Sequence, residues 1–196
     1  MILTMPTLSQ PVLARGRMAA LPQPTLLTAS GLTIRPWSTE DCDDVLRAFS
    51  DSAIRMWHLT EIKTTAEAEE WIEVRQRSWS AEIGGNWAVA DQANGIVGRV
   101  GLRDVNLFAG HAESTYWVLP EFRRKGIAVA AMTELARWTL DVLGIHRLIV
   151  THSTKNHASC GVAEKVGFNF EGTMRSQLMH TDGWHDMHLH ALIQSA

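Results

Sequence analysis

The sequence has little cysteine, no surplus of positive charge and no long apolar run, and each shortage argues against a class of protein. Its only two cysteines, Cys42 and Cys160, form no C-x-x-C pair, so neither a disulfide framework nor a thiolate zinc site is indicated. The net charge of -3 provides no basic surplus for binding a nucleic-acid backbone. No stretch approaches the roughly 20 apolar residues that cross a membrane. We therefore expect a cytoplasmic protein without nucleic-acid or membrane partners.

The first thirty residues differ in pattern from the rest of the chain. They show neither the helical nor the strand period, and several prolines interrupt them. Arg15 and Arg17 follow the apolar residues of this segment, which reverses the order found in a signal peptide. We predict that residues 1–30 form an extended arm that lies on the domain or is partly disordered. Residues 31–196 then form one domain, because 196 residues suffice for one core.

The apolar patterns of the remaining chain predict an α/β fold. Capping boxes at Ser38 and Thr64 predict the starts of two helices, and Asn94-Gly95 predicts a hairpin between two strands. Residues 126–143 have the clearest helical period, with Val142 on the apolar stripe and Gly144 as the stop. The order is strand, two helices, three strands, helix, strand, helix and a final strand pair. Such an order predicts a mixed sheet covered by helices.

The loop before this long helix carries the strongest chemical signal. Arg123, Arg124 and Lys125 stand beside Gly126, where a strand ended by Pro120 gives way to the helix. Free amides at a helix start, the positive end of its dipole and an unobstructed glycine backbone suit a pyrophosphate. The loop matches neither the Walker nor the dinucleotide pattern. On these residues alone, an anion site and a surface turn with solvated cations both stay open.

The segment Arg123-Arg-Lys-Gly126-Ile-Ala128 resembles the [QR]-x-x-G-x-[GA] signature of the GCN5-related N-acetyltransferases (GNAT), in which this loop binds the pyrophosphate of coenzyme A. Residues 156–172 resemble the RimJ/RimL-like branch of ribosomal-protein N-acetyltransferases. The resemblance spans roughly residues 31–193. It implies a GNAT fold with about four helices and a mixed, mostly antiparallel sheet of about six to seven strands, splayed between strands four and five.

The same resemblance implies the chemistry. The expected reaction is direct transfer of an acetyl group from acetyl-CoA to a primary amine, either a protein amino-terminus or a small molecule. No metal is expected, and the protein would be a monomer or a homodimer. The residues expected to contact the cofactor are Trp117, Val118, Leu119, Arg123, Arg124, Lys125, Gly126, Ile127, Ala128 and Asn156.

Candidate catalytic residues follow from the same comparison of motifs. Glu113 is expected to draw the proton from the substrate ammonium, although a strand-end carboxylate facing solvent is the alternative. Ser159 is expected to protonate the leaving thiolate, although it can also be an uninvolved helix hydroxyl. Many superfamily members carry a tyrosine acid in this helix, and this chain has none there. Its only tyrosine is Tyr116.

Four residues are expected to line the acceptor site. They are Trp57 and His58, which by resemblance border that site, and His180 and Trp184, which belong to a histidine-rich stretch near the carboxyl end. A zinc site from His188, His190 and a carboxylate is an alternative use of that stretch. A catalytically silent acyl-CoA-binding module is the main alternative to an enzyme. The net charge of -3 mildly favours a cationic acceptor.

Overall fold

The computed structural model describes residues 10–93 and 95–195. The first nine residues of the predicted arm and Asn94 of the predicted hairpin turn lie outside this part. The strands are β1 (Leu26–Leu27), β2 (Thr33–Pro36), β3 (Gly85–Asp91), β4 (Gly95–Asn106), β5 (His111–Val118), β6 (Arg147–Ser153), β7 (Asn169–His180) and β8 (Gly183–Ile193). The α-helices are α1 (Cys42–Ser50), α2 (Ser52–His58), α3 (Thr65–Ser80), α4 (Ile127–Arg137) and α5 (His157–Val166).

One sheet contains all of these strands, in the order β1-β2-β3-β4-β5-β6-β8-β7. Every neighbouring pair is antiparallel except β5 and β6, which confirms the predicted mixed, mostly antiparallel sheet. The described strands exceed the predicted number because the arm contributes the short β1. The number of described α-helices exceeds the predicted four because the segment after α1 forms a further helix, α2.

The local sequence explains where the helices begin and end. Both predicted capping boxes form, at Ser38 and at Thr64. Gly144 ends the long helix in the left-handed region at φ 90°, as predicted. The last turn of that helix, Trp138–Leu143, is a π-helix, which shifts the positions of its side chains. Val142, predicted on the apolar stripe, is therefore 49% exposed.

Apolar clusters lie on both faces of the sheet. Trp87 and Val89 of β3 enter a cluster with Leu135 of α4, whereas Ala88 enters a cluster with Ile72 of α3. Alternate residues of a strand point to opposite faces, so α4 and α3 cover different sides. Among the described residues, none of the helices is both long enough and apolar enough to span a bilayer.

The described part of the arm packs along the domain. The Glu82 carboxylate accepts hydrogen bonds from the N–H groups of Gly16 and Met18, each at 2.7 Å, and of Ala19 at 3.2 Å. The side chain of Met18 is buried in the cluster that contains α4. Residues of the arm therefore contribute to the core as well as to the sheet.

The sheet opens between β5 and β6, as predicted. The two strands pair in parallel at His111, Ala112 and Glu113, and the last pair is Glu113 with Ile149. Beyond that pair β5 continues to Val118 and β6 continues to Ser153. The divergence leaves a gap whose sides are strand edges. β5 and β6 correspond to strands four and five of the predicted GNAT fold, because the short β1 precedes the first strand of that fold here.

Candidate active site

A cleft of about 680 Å³ occupies the gap between β5 and β6. It brings together most of the residues predicted from the sequence, namely Trp57, His58, Trp117, Val118, Arg123, Arg124, Gly126, Ile127, Ala128, Asn156, Ser159 and His180. Four predicted residues are absent from its lining: Glu113, Leu119, Lys125 and Trp184. The predicted set thus converges on one cavity, with these four placed around it.

The start of α4 forms a cradle of backbone N–H groups at the cleft. Arg124 and Gly126 adopt positive φ, 63° and 79°, whereas Lys125 between them does not. Backbone whose φ alternates in sign in this way turns successive N–H groups toward one point. The first helical hydrogen bond runs from the Ala130 N–H to the Gly126 carbonyl at 2.9 Å. The amides of residues 127–129 therefore have no acceptor within the helix. A Cβ built on Gly126 would meet no described atom within 4 Å, so space for an anion lies open above it.

The three cations of the loop have different surroundings. The Arg123 guanidinium pairs with Asp51 at 2.6 Å and donates through Nε to the Val118 carbonyl at 3.2 Å. Burial acts to raise the pKa of Asp51, but the bonds from Arg123 and from the Ile54 N–H outweigh it and lower that pKa. Lys125 Nζ lies 5.1 Å from the Phe122 ring centroid. Arg124 is the loop cation that is exposed and free of a side-chain partner within residues 10–93 and 95–195.

The free edge of β5 has a defined polarity. The Leu119 N–H donates to the Val97 carbonyl of the adjoining segment at 3.0 Å. Peptide groups alternate in direction along an antiparallel strand, so those of Trp117 also face β4, whereas those of Tyr116 and Val118 face the gap. The carbonyl of Tyr116 accepts a hydrogen bond there from His58 Nε2 at 3.0 Å. Of the three predicted strand contacts, Val118 is the one whose peptide groups point into the cleft.

Two hydroxyl groups meet inside the cleft. The Tyr116 O–H donates to Ser159 Oγ at 3.0 Å, and the Ser159 N–H donates to Asn156 Oδ1 at 3.2 Å, so Asn156 is the predicted helix cap. Burial raises the pKa of Tyr116 to about 12, against the opposing effect of the Ser159 hydrogen bond. Because Ser159 Oγ accepts from Tyr116, its own O–H is free to donate to a third group.

Tyr116 is a residue that sequence reasoning missed. A tyrosine acid was sought in the helix, whereas this tyrosine reaches the cleft from β5. The available signal was strand alternation, which places Tyr116 on the same face as Ser114 and Val118. That face is the one covered by α4 and α5, as the packing of Tyr116 against the α4 cluster shows.

Glu113 is buried and fully engaged. Its two oxygens accept from Arg103 at 2.7 and 3.0 Å, and Thr151 Oγ1 donates to it at 2.5 Å. The carboxylate therefore neither faces solvent nor stands free as a base. What Glu113 does directly is to hold Arg103 and Thr151, both of which line the cleft.

His58 stands where the cleft meets a second cavity. This cavity has a volume of about 1030 Å³ and shares His58, Arg103 and Thr115 with the cleft. Burial, together with the smaller effect of the nearby Arg99, lowers the pKa of His58 to about 3. The ring is neutral at physiological pH, with its proton on Nε2 because the Tyr116 carbonyl can only accept.

The remaining predicted acceptor residues separate into two groups. The rings of Trp57 and His180 lie edge to face with centroids 5.7 Å apart, and His180 stacks on His185 at 4.2 Å. Trp57 and His180 line the cleft, and His185 lies behind them outside its lining. Trp184, in contrast, is 61% exposed and lies outside it.

Comparisons with known proteins agree with this geometry. Residues 31–169 match the family described as the acetyltransferase (GNAT) domain. The chain is 22% identical over 171 residues to YoaA, an uncharacterized N-acetyltransferase of Bacillus subtilis (strain 168), covering 86% of this chain and 97% of that protein.

Two solved structures have the same fold. One is RimL, a ribosomal L7/L12 alpha-N-protein acetyltransferase in complex with coenzyme A, with a TM-score of 0.79, 16% identity, and coverage of 87% of this chain and 98% of that one. The other is RimJ of Mycobacterium smegmatis in complex with CoA-disulfide, with a TM-score of 0.78, 20% identity, and coverage of 87% and 86%. Because the family match extends over more than half of the sequence, the chain belongs to the GNAT acetyltransferase family.

Proposed function

We propose that the protein transfers an acetyl group from acetyl-CoA to a primary amine by direct transfer in a ternary complex. One observation carries the proposal: a backbone anion cradle and a paired tyrosine and serine open into the same cleft. The structural relatives that hold coenzyme A or its disulfide add support, and so do the names of RimL and RimJ. The name of RimL, an alpha-N-protein acetyltransferase, favours the α-amine of a protein or peptide as the acceptor.

The chain's residues fit the co-substrate at three places. The amides of residues 127–129 would hold the pyrophosphate, since open space lies above Gly126. The peptide groups of Val118 would pair with the pantetheine arm, as an added strand pairs with a sheet edge. The bound co-substrate supplies an acetyl group activated as a thioester. Ser159, held by Tyr116, would stand beside the leaving sulfur.

The proton balance of the reaction defines the role of these hydroxyl groups. A neutral amine nitrogen forms a bond to the acetyl carbon, and the carbon–sulfur bond breaks with its electron pair on sulfur. Ser159 donates a hydrogen bond to that sulfur and delivers its proton, while the Tyr116 O–H stabilises the serine oxygen. The nitrogen gives up one proton as the amide forms and the Ser159 oxygen regains one, so the net transfer is one proton from nitrogen to sulfur. Glu113 keeps Arg103 and Thr151 in place at the cleft.

The test is a steady-state thiol-release assay with acetyl-CoA and a panel of amino-terminal peptides, polyamines, amino acids and amine-bearing antibiotics. We expect release with at least one amine, and mass spectrometry should find a gain of one acetyl group on its nitrogen. Calorimetry should find acetyl-CoA binding in the same preparation. Binding without turnover across the whole panel would reject the enzyme and favour an acyl-CoA-binding module.

A further inference from the structure

Arg99 on β4 is a buried cation without a neighbouring anion. It is 8% exposed, and its hydrogen bonds go to neutral acceptors: Asn86 Oδ1 at 2.8 Å from Nε, and Thr115 Oγ1 at 3.1 Å from Nη2. No carboxylate of the described residues lies within 4.0 Å of its guanidinium. Burial lowers the pKa of Arg99 to about 9, with Arg75 and Arg103 adding to the effect, so the group stays charged at neutral pH. A buried charge of this kind normally has an oppositely charged partner.

Arg75 on α3 repeats the pattern beside it. Its guanidinium carbon lies 4.7 Å from the centroid of the Trp71 ring, and that of Arg99 lies 5.9 Å from the same ring. Burial lowers the pKa of Arg75 as well. Within the described ranges, Arg75 forms no ion pair with a carboxylate. Two cations therefore share one cavity wall with no acid between them.

The acids near this wall already have partners. Glu113 is bound by Arg103 and Thr151, and the Glu82 carboxylate accepts three amides of the arm. Asp104 lies 3.8 Å from Arg103. None of the three supplies a counter-charge to Arg75 or Arg99. Among the described residues, Arg75 and Arg99 therefore face the cavity without a carboxylate partner.

We propose that this cavity, the arginine pocket, binds an anionic group of the acceptor, either a carboxylate or a phosphate, through Arg75 and Arg99. A guanidinium presents a planar fork of donors that matches both groups. The pocket adjoins the cleft at His58, Arg103 and Thr115, which line both cavities, so an acceptor anchored in the pocket would extend its amine past these residues toward Tyr116 and Ser159. This inference rests on the proposed transfer to an amine and names the class of amine.

The test compares acceptors that differ in one charge. Alanyl-aspartate amide is paired with alanyl-asparagine amide, and alanyl-phosphoserine amide with alanyl-serine amide. We expect kcat/KM to be about 30-fold higher for the acidic member of at least one pair. A ratio of this size corresponds to the free energy of one hydrogen bond to a charged group. The two pairs distinguish a carboxylate from a phosphate. Equal kcat/KM within both pairs would overturn the proposal.

Variants locate the effect in the pocket. Arg75→Gln should lower kcat/KM for the acidic acceptor about 10-fold more than it lowers kcat/KM for the neutral one. Arg77→Gln is the matched control, because Arg77 lies two residues along the same helix, is exposed and pairs with Glu73. An equal loss for acidic and neutral acceptors in Arg75→Gln would contradict a charge-reading role.

A second readout separates this inference from the proposed function. Calorimetric Kd values for the same peptides require no turnover. Tighter binding of an acidic peptide, weakened by Arg75→Gln, would uphold the arginine pocket even if no thiol were released. Equal Kd values within each pair would reject the pocket even if the protein acetylated other amines.

A cluster of histidine and cysteine side chains on the face that α5 covers carries an independent inference. His152 of β6, His188 and His190 of β8, and Cys160 of α5 bring their ligand atoms within 4.8 Å of one another. The Nε2 atoms of His152 and His190 are 3.2 Å apart, close to the about 3.3 Å between two nitrogen ligands of tetrahedral zinc. From the sequence no metal was expected, and a site from His188, His190 and a carboxylate was only an alternative; the fold brings His152 and Cys160 to these two histidines instead.

The hydrogen bonding of these rings leaves atoms free. His152 Nδ1 lies 3.0 Å from the Ser153 carbonyl, so its proton is on Nδ1, and the lone pair of its Nε2 accepts from His190 Nε2 in a hydrogen bond that a metal ion would replace. Within the described part of the chain, Nδ1 of His188 and of His190 are buried without a hydrogen-bond partner. We infer that the four side chains bind a divalent transition metal ion such as Zn²⁺, with the Cys160 thiol releasing its proton to solvent.

Elemental analysis of untagged protein equilibrated with Zn²⁺ and then dialysed tests the cluster. We expect about one zinc per chain, with most of it lost in His152→Asn and Cys160→Ser. The control is His146→Asn, because His146 is exposed and outside the cluster. Zinc should also raise the Tm of the wild-type chain but not that of His152→Asn. A content below about 0.1 zinc per chain would reject the site.

Discussion

The cleft and the arginine pocket adjoin the same strand, β5, and they offer donors for negative charge of different kinds. In the cleft, backbone amides of residues 127–129 face open space beside Gly126. In the pocket, the donors are side chains, Arg75 and Arg99, supplied by a helix and a strand. A backbone cradle suits one invariant group, such as a pyrophosphate. In a pocket built from side chains, substitutions can change which acceptor binds, while the backbone cradle of the cleft stays the same.

Gly126→Asp should produce the largest effect. Its carboxylate would stand where the pyrophosphate binds, and juxtaposed like charges cost several kcal/mol, so the KM for acetyl-CoA should rise about 10²-fold. The control is Gly126→Asn, since asparagine has nearly the same shape, tolerates positive φ and carries no charge. Steady-state kinetics on both variants makes the comparison. Equal KM values for the two variants would mean that strain at φ 79°, and not charge, decides the outcome.

Ser159→Ala should mainly lower kcat, by about 10²-fold, because the thiolate loses its proton donor. Tyr116→Phe should lower it about 10-fold, because it removes one hydrogen bond from that donor. Both variants should keep the KM for acetyl-CoA, in contrast to Gly126→Asp. Since burial raises the pKa of Tyr116 to about 12, wild-type kcat should not fall through tyrosine ionisation below about pH 10. Normal kcat in Ser159→Ala would remove Ser159 from the mechanism.

His58, at the junction of the two cavities, should couple folding to pH. Its pKa is about 3 in the folded chain and near 6.5 when unfolded, so the unfolded state takes up the proton first. The stability from keeping His58 neutral is complete above about pH 6.5 and is lost as pH falls toward 3. His58→Gln keeps a donor for the Tyr116 carbonyl. Between pH 7 and pH 5 the free energy of unfolding of this variant should fall by about 1–2 kcal/mol less than that of the wild type. Urea unfolding at both pH values measures this difference, and parallel losses would contradict it.

The cleft was more accessible to prediction from sequence than the pocket, for a physical reason. The helix cap, the glycine at positive φ and the free amides of α4 lie within a few consecutive residues, so a local pattern contains them all. The splay of the sheet followed from the family resemblance. The pocket joins Asn86, Arg99 and Arg75 from three elements, and no spacing in the sequence indicates that they meet.

Strand register explains the missed details of the candidate site. Glu113 is paired with Arg103 because β4 and β5 align these two residues, and an isolated strand pattern does not give that alignment. The family resemblance associates a tyrosine with the helix, whereas Tyr116 reaches Ser159 from β5. The net charge of -3 pointed mildly to a cationic acceptor, whereas the local charge of the arginine pocket is positive. Net charge averages over the surface and does not describe one cavity.

Arg124→Gln should produce the smallest effect and sharpens the contrast between backbone and side-chain recognition. Arg124 is exposed, so its attraction to a pyrophosphate acts through solvent and is worth less than about 1 kcal/mol. The KM for acetyl-CoA should rise only about 3-fold, and the difference from wild type should fade in high salt. Lys125→Gln, which alters the cation beside the Phe122 ring, is the matched control and should change KM less. A rise in Arg124→Gln as large as that in Gly126→Asp would mean that side chains, not amides, dominate the cofactor site.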